Sequence, residues 1–130
     1  MRIAIVALVL AGCATPYPAL TATAKAGSAA VSAFEAYDHA HKRDLLAAHP
    51  ECKAQPKPEV CFAAVLAPYE VARDEVLRPI DALAPALFEA AHVAEQGAAD
   101  KSLTTALAGK IASLTAAVLA AVAKLQGGAP

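Results

Sequence analysis

Apolar and small residues recur every three or four positions through three long stretches of the chain. In the first stretch, from Leu20 to about Ala48, only Asp38 interrupts the pattern. This spacing places the apolar residues on one face of an α-helix. The helix should end at or before His49, because Pro50 disfavours helical backbone in the residue before it. The predicted core face of this helix consists of Ala24, Gly27, Val31, Phe34, His41, Leu45 and Ala48.

The second stretch keeps one helical register from Phe62 to Gly97 although it contains Pro68, Pro79 and Pro85. A proline inside a helix removes a hydrogen bond and costs about 3 kcal/mol. Separate helices would be expected to lose phase at each proline, and the phase is kept. We therefore predict one long helix, kinked or interrupted near Pro79 and Pro85, and leave open whether Pro68 lies in a first turn. Its predicted core face consists of Phe62, Val65, Tyr69, Ala72, Val76, Ile80, Leu83, Leu87, Ala91 and Ala94.

The third stretch, from about Lys101 to Gln126, has the clearest helical pattern of the chain. Gly97 is typical of a helix stop, and Asp100 or Ser102 is typical of a helix start. The pair Gly127-Gly128 is expected to end the helix. Its predicted core face consists of Leu103, Leu107, Ile111, Leu114, Val118, Ala121 or Val122, and Leu125.

Two interpretations of this third helix remain open. Its longest uncharged run, Ile111 to Ala123, is bounded by Lys110 and Lys124 and is too short to span a bilayer comfortably. We favour a helix that packs in a bundle over a helix that associates with a membrane.

The fold predicted from these stretches is all-α: a small antiparallel three-helix bundle over residues 20–126, with 127–130 as a flexible tail. The connections are short, as in up-and-down bundles. Apolar residues make up 58% of the chain, but alanine supplies about half of them. Alanine favours helices yet buries little surface, so the core should be thin.

The amino terminus has the outline of a signal peptide over residues 1–12. Arg2 supplies a positive charge, and Ile3 to Leu10 is an uninterrupted apolar run. That run fits a signal-peptide core and is far shorter than a bilayer span. The following Leu10-Ala11-Gly12-Cys13 resembles the lipobox of bacterial lipoproteins at all four positions. The alternative is an ordinary buried cysteine after a short apolar segment.

The lipobox resemblance implies that Cys13 is lipidated on its thiol and becomes the first residue of the mature protein. Several acyl chains would then hold the protein on a membrane stably. Ala14 stands where lipoproteins retained at the inner membrane commonly have aspartate, which favours the periplasmic face of the outer membrane. Residues 13–19, with Pro16 and Pro18, are expected to form an extended tether.

Cys52 and Cys61 remain as a pair if Cys13 is acylated. They flank a proline-rich segment, and residues 49–60 are predicted to be a loop. An exported chain meets an oxidising compartment, so a disulfide between them is favoured. Free or redox-active thiols and a metal site are the alternatives, but the spacing fits neither C-x-x-C nor the usual zinc pairs.

The charged and titratable residues form no recognisable catalytic motif. The histidines of the pair His39 and His41 point about 200° apart on a helix and so cannot share a metal. Carboxylates at Glu35, Asp38 and Asp44 are close enough in sequence to pair locally with these histidines. The cluster Glu70, Arg73, Asp74, Glu75, Arg78 and Asp81 is interpreted as solvated helix surface or a docking face. We predict no catalytic residue, no metal site and no cofactor.

Charge excludes one class of partner. With 11 basic and 12 acidic residues the chain lacks the basic face that nucleic-acid binding needs. Its order of elements resembles small helical lipoproteins encoded by bacteria and by prophages or phages. That resemblance implies a non-catalytic structural or protein-interaction module of the cell envelope, whose partner is an envelope protein or a second copy. The alternative is a membrane-active or phage lysis or envelope-modifying lipoprotein.

Overall fold

The computed structural model describes residues 17–97 and 100–128, and these residues form an all-helical structure. Three long helices pack against one another, which confirms the predicted all-α bundle of three helices. They are α1 (Pro18–Ala47), α2 (Pro58–Gln96) and α3 (Lys101–Gly128), with a short 3-10 helix at Pro50–Ala54 between α1 and α2. The predicted signal peptide, Cys13 and most of the tether lie outside the described residues.

Helix α1 begins two residues earlier than the apolar pattern indicated. Pro18 occupies the first turn, where its fixed φ suits a helix and its missing N–H costs nothing. The backbone N–H of Thr21 donates to the carbonyl of Tyr17 over 3.0 Å. The helix ends at Ala47, ahead of Pro50, as predicted.

The connection between α1 and α2 is shorter than the predicted loop 49–60. Residues Pro50–Ala54 form a 3-10 helix, and α2 already begins at Pro58. Pro58 lies in the first turn of α2, where proline is favoured, so Cys61 belongs to that helix and not to the loop.

Helix α2 is continuous from Pro58 to Gln96 and is not interrupted at its three internal prolines, Pro68, Pro79 and Pro85. Pro68 is well inside the helix, so it is not a first-turn residue. Each proline lacks the N–H that would donate to the carbonyl four residues earlier, which belongs to Ala64, Glu75 and Asp81 in turn. All three of those residues are exposed, so water can bond to the freed carbonyls while the opposite face of the helix stays packed.

The turn between α2 and α3 has the predicted stop and start signals. Gly97 has a φ of +62°, a left-handed conformation that glycine adopts without strain, and its N–H donates to the carbonyl of Val93 over 3.1 Å. The carboxylate of Asp100 accepts the N–H of Leu103 over 2.8 Å and caps α3. Helix α3 includes Gly127 and Gly128, two residues beyond the predicted last residue Gln126, so the predicted tail does not begin at residue 127. Leu125 is buried one turn earlier and holds this end against the bundle.

The core lies mainly where α1 up to Phe34, α2 from Val76 onward and α3 up to Val118 pack together. Gly27 lets α1 approach the other helices closely, because a Cβ at this position would lie 3.0 Å from Thr115 Oγ1 and 3.3 Å from Leu87. The largest fully buried side chains here are Val31, Val76, Leu83, Leu87, Ile111 and Val118.

Candidate functional site

Asp38, the residue that interrupts the apolar face of α1, lies at the centre of a polar cluster between α1 and α2. The hydroxyl of Tyr69 donates to Asp38 Oδ1 over 2.9 Å. Arg73 Nε lies 3.1 Å from the same oxygen, and Lys42 Nζ lies 3.5 Å from Asp38 Oδ2. We call Asp38, Lys42, Tyr69 and Arg73 the Asp38 cluster. It gives one half-buried carboxylate two cations and a hydroxyl donor.

Arg73 departs from the prediction that its charged neighbours on α2 form solvated surface. Its side chain is only 24% exposed and is turned toward Asp38. Although the Nε atom is close to Asp38 and buried, it is not aligned for a hydrogen bond, so the contact is an ion pair. The prediction was wrong for this residue because the partner that draws it inward lies on another helix. The other members, Glu70, Asp74, Glu75, Arg78 and Asp81, are exposed as predicted.

Tyr69 is buried, and its hydroxyl is held as a hydrogen-bond donor. Burial and the hydrogen bond to Asp38 raise the pKa of Tyr69 well above its ordinary value of 10.0. The nearby charge of Asp38 acts in the same direction, because a phenolate would face a carboxylate. The hydroxyl therefore stays protonated across the physiological range and fixes the ring in place.

His41 contacts two tyrosine rings and not the carboxylates near it in sequence. Its ring stacks on Tyr37 at a centroid distance of 5.4 Å and an interplanar angle of 16°, and it meets Tyr69 at 4.6 Å and 48°. Asp38, a possible partner of His41 from the sequence, instead contacts the other members of its cluster. These three rings form an aromatic wall.

His41 and Tyr69 of this wall border an open cleft, with a volume of about 430 Å³, to which all three helices contribute. Besides His41 and Tyr69, its lining is mostly apolar. The apolar lining residues are Leu45, Val65, Pro68, Ala72, Ala121 and Leu125. Volumes of this size are usual for small-molecule sites.

The cleft is open because small residues occupy core positions on two facing helices. Ala72 belongs to the predicted core face of α2, yet it is exposed in the structure. Ala121 on α3 is half-buried and lines the same space. A methyl group on each side does not fill the distance between packed helices, and a void remains where larger residues would meet.

An ion pair lies at the mouth of the cleft. Lys124 Nζ donates to Glu75 Oε2 over 3.0 Å, which joins α3 to α2. The hydrogen bond and charge of Lys124 lower the pKa of the Glu75 carboxyl. Both side chains are mostly exposed, at 75% for Lys124 and 57% for Glu75, so the pair is free to exchange its partners with a ligand.

A second groove of about 530 Å³ lies between α1 and α2, beside the Asp38 cluster. Its walls include Phe34 and Phe88, and Glu35 and Asp81 line it together with Asp38 and Arg73. Phe88 is 55% exposed. The groove is more acidic than the cleft and has no α3 residue in its lining.

The structure brings Cys52 and Cys61 to disulfide distance, with their Cα atoms 5.3 Å apart. Cys52 is fully buried in the 3-10 helix, and Cys61 lies in the first turns of α2. The predicted proximity of this pair is confirmed. Cys13, the predicted lipidation site, lies outside the described residues and stays a prediction.

The remaining histidines do not gather into a site in the described part of the chain. His39 is exposed, and His49 Nδ1 lies 2.8 Å from Glu51 Oε1 on the surface. That hydrogen bond lowers the pKa of Glu51. Within residues 17–97 and 100–128 no group of three or more His, Cys, Asp or Glu side chains is placed to hold a metal ion.

Comparison with known proteins places the chain in no family. No protein family model matches it, and no curated protein or solved structure is significantly similar to it.

The cleft and the Asp38 cluster were missed by sequence reasoning, although two signals pointed to them. Asp38 broke an otherwise apolar helix face, and Ala72 and Ala121 were small residues on predicted core faces. What could not be read from these signals is that the two alanines border one space and that Tyr69 and Arg73 both reach Asp38.

Proposed function

We propose that this chain is a lipid-anchored, non-catalytic interaction module of the bacterial cell envelope, held on the periplasmic face of the outer membrane through Cys13. The resemblance of Leu10 to Cys13 to a lipobox supports the anchor. The Cys52–Cys61 pair at disulfide distance is consistent with it, because a disulfide persists in the oxidising compartments that exported proteins enter.

The interaction role depends on one observation: helix α3 is largely apolar but mostly uncovered. Lys101–Gly127 is the one helix in the described residues that is long and apolar enough to span a membrane, and only 22% of its most apolar stretch is buried in the bundle. Its outward side exposes Ala116 and Leu119, and Leu119 is 54% exposed. Exposed apolar surface of this kind marks contact with a partner.

We further propose that the helices are antiparallel, up-down-up. Two contacts support this order. Tyr69 and Asp38 are about equally far from the link between α1 and α2, and Lys124 and Glu75 are about equally far from the link between α2 and α3. In this arrangement the cleft lies near the end of the bundle opposite the anchor, about 35 Å along α1 from Pro18 at the usual helical rise.

The anchor is tested by metabolic labelling of the full chain with a clickable fatty acid. We expect label on the wild type and none on Cys13→Ser. The matched control is the double variant Cys52→Ala/Cys61→Ala, which removes the other two cysteines and should keep the label. Equal labelling of wild type and Cys13→Ser would contradict lipidation at this residue.

Membrane sorting gives a second, independent measurement. Fractionation should recover the wild type with the outer membrane, and Ala14→Asp should move it to the inner membrane. Ala14→Asn, which changes size similarly without adding charge, is the control. A wild type found only at the inner membrane would contradict the assigned location.

The partner surface is tested by placing a photo-crosslinking amino acid at Ala116, with Asp74 on the polar face of α2 as the control position. We expect a discrete crosslinked product at Ala116 that is much weaker at Asp74. Equal products from both positions, or none from Ala116, would contradict an interaction through α3.

The same apolar surface also supports a second candidate, a membrane-active or lysis-related protein that lays α3 on lipid. Liposome leakage separates the two candidates. Leu119→Asp is the informative variant because Leu119 is exposed, whereas Leu114 is half-buried and its replacement by aspartate would damage the bundle. Leakage that Leu119→Asp abolishes, without a crosslinked partner, would favour the second candidate.

A further inference from the structure

We propose that the cleft between the three helices binds a single-chain amphiphile with a zwitterionic phosphate–ammonium head. The alkyl chain lies along the apolar walls, and the head meets Glu75 and Lys124 at the mouth. This site is separate from the α3 surface proposed above, because Ala116 and Leu119 are not among the residues that line the cleft.

The walls of the cleft suit the alkyl chain of the ligand. Leu45, Val65 and Leu125 offer branched aliphatic side chains, and the two alanines leave space between them. On α2 the lining residues extend from Val65 to Glu75, the void is open to solvent, and its volume of about 430 Å³ lies in the range of small-molecule sites. A flexible apolar chain fits such a space and removes apolar surface from water.

The aromatic wall is fixed before any ligand arrives. Tyr69 is held by its hydrogen bond to Asp38, and His41 is held by stacking on Tyr37 and by a tilted ring contact with Tyr69. A wall that does not need to be ordered on binding avoids an entropic cost. Asp38, Lys42 and Arg73 are not among the residues that line the cleft, so they act on it through Tyr69 as positioning residues.

The choice of head group follows from charge complementarity at the mouth. Glu75 and Lys124 present one negative and one positive group 3.0 Å apart. A simple anion would pair with Lys124 but leave Glu75 beside it unpaired. A neutral head would gain no ionic contact. A zwitterion satisfies both side chains, because its phosphate meets the ammonium of Lys124 and its ammonium meets the carboxylate of Glu75.

The experiment measures binding of 1-palmitoyl lysophosphatidylethanolamine, below its micelle concentration, to the purified full-length chain held in an amphipathic polymer. Isothermal titration calorimetry should show saturable binding with one ligand per chain. The double variant Ala72→Leu/Ala121→Leu fills the cleft and should bind at least about tenfold more weakly. Ala82→Leu, at an exposed alanine of α2 outside the cleft, is the matched control and should bind like the wild type.

The head group is tested with Lys124→Met and with hexadecanol as an uncharged ligand of the same chain length. Lys124→Met should weaken binding of the lysophospholipid and leave hexadecanol binding unchanged. Palmitate, which has only a negative head, should bind the wild type more weakly than the lysophospholipid. Equal affinities for all three ligands would overturn the zwitterionic assignment.

Two results would overturn the site itself. One is equal lysophospholipid binding by the wild type and by the filled variant, with both folded by circular dichroism. The other is a dimer that is detected by analytical ultracentrifugation and dissociated by Ala121→Leu, in a protein that binds no lysophospholipid. That result would show that a second copy of the chain occupies the cleft. If the double variant does not fold, the single variant Ala72→Leu replaces it, because Ala72 is exposed and its enlargement does not disturb the packed core.

Discussion

The two halves of the bundle are built differently. In the sealed half, which is formed by residues 18–34, 76–96 and 101–118, aliphatic side chains of all three helices are buried against each other. In the open half, which is formed by residues 35–75 and 119–128, most of the corresponding residues are only half-buried. Cys52, Tyr69 and Leu125 are the apolar residues buried there.

The open half uses other interactions in place of apolar burial. The Asp38 cluster, the ring stack on His41, the Glu75–Lys124 pair and the cysteine pair all belong to it. None of these contacts requires the helices to be in close apolar contact, so the cleft can remain open. The comparison indicates that the sealed half supplies most of the stability and that the open half is where binding can occur.

The largest effect should come from a cavity in the sealed half. Leu83 is fully buried, and Leu83→Ala should lower the free energy of unfolding by about 2–5 kcal/mol. The matched variant Leu45→Ala in the open half should cost clearly less, because Leu45 is half-buried and already borders open space. Chemical denaturation of both variants measures the difference, and equal losses would remove the distinction between the halves.

Removing the cysteine pair should weaken the open half next. The double variant Cys52→Ala/Cys61→Ala should lose about 2–3 kcal/mol, because a short cross-linked loop constrains the unfolded chain. The melting temperature of the oxidised wild type should fall to that of the variant when reductant is added. Non-reducing peptide mapping must recover the two cysteines in one linked peptide, and two freely alkylatable thiols in exported protein would contradict the bond.

A smaller effect is expected at Tyr69, where the loss of one hydroxyl removes the hydrogen bond to Asp38. Tyr69→Phe should cost about 1 kcal/mol at neutral pH. In the wild type the folded pKa of Tyr69 is raised above its ordinary value of 10.0. Its contribution is therefore complete below about pH 10 and is lost as the pH rises above that value, because the unfolded chain ionises first.

Melting curves between pH 7 and pH 11 test this predicted loss of stability at alkaline pH. The wild type should lose more stability over the alkaline part of the range than Tyr69→Phe does. Tyr37→Phe is the control, because it removes a different tyrosine hydroxyl while it keeps the ring that stacks on His41 and the hydroxyl of Tyr69, and it should follow the wild type. Identical alkaline losses in wild type and Tyr69→Phe would contradict the buried hydrogen bond.

The smallest effect on stability should come from Lys124→Met at the mouth of the cleft. Glu75 and Lys124 are exposed, and surface ion pairs contribute little and are screened by salt. The melting temperature should fall slightly at low salt and not at all at high salt, while titration should show the pKa of Glu75 returning upward. A large loss of stability would mean that this pair, and not the sealed half, holds α3 to α2.

Most of the secondary structure could be predicted from the sequence because the signals are local. Asp100 and Gly97 mark the turn before α3, and the apolar periodicity identified the buried positions of α2 from Val76 to Leu87. The ends of the helices were predicted less accurately than their existence. Pro58 started a helix where a loop was expected, because proline is favoured in a first turn. Helix α3 includes Gly127 and Gly128, two residues beyond its predicted last residue.

The sequence by itself determined three helices, most of their buried positions and the cysteine pair, since helical periodicity and turn residues act over a few neighbouring positions. The predicted core faces were wrong at Ala48, Ala72 and Leu103, which are exposed. Only the tertiary structure decided that Arg73 turns inward to Asp38 and that Ala72 and Ala121 border one cleft. Each of these depends on atoms far apart along the chain. A void forms beside a small residue on a core face only when the residue opposite is also small. A charged side chain on a helix surface turns inward only when the neighbouring helix carries an opposite charge.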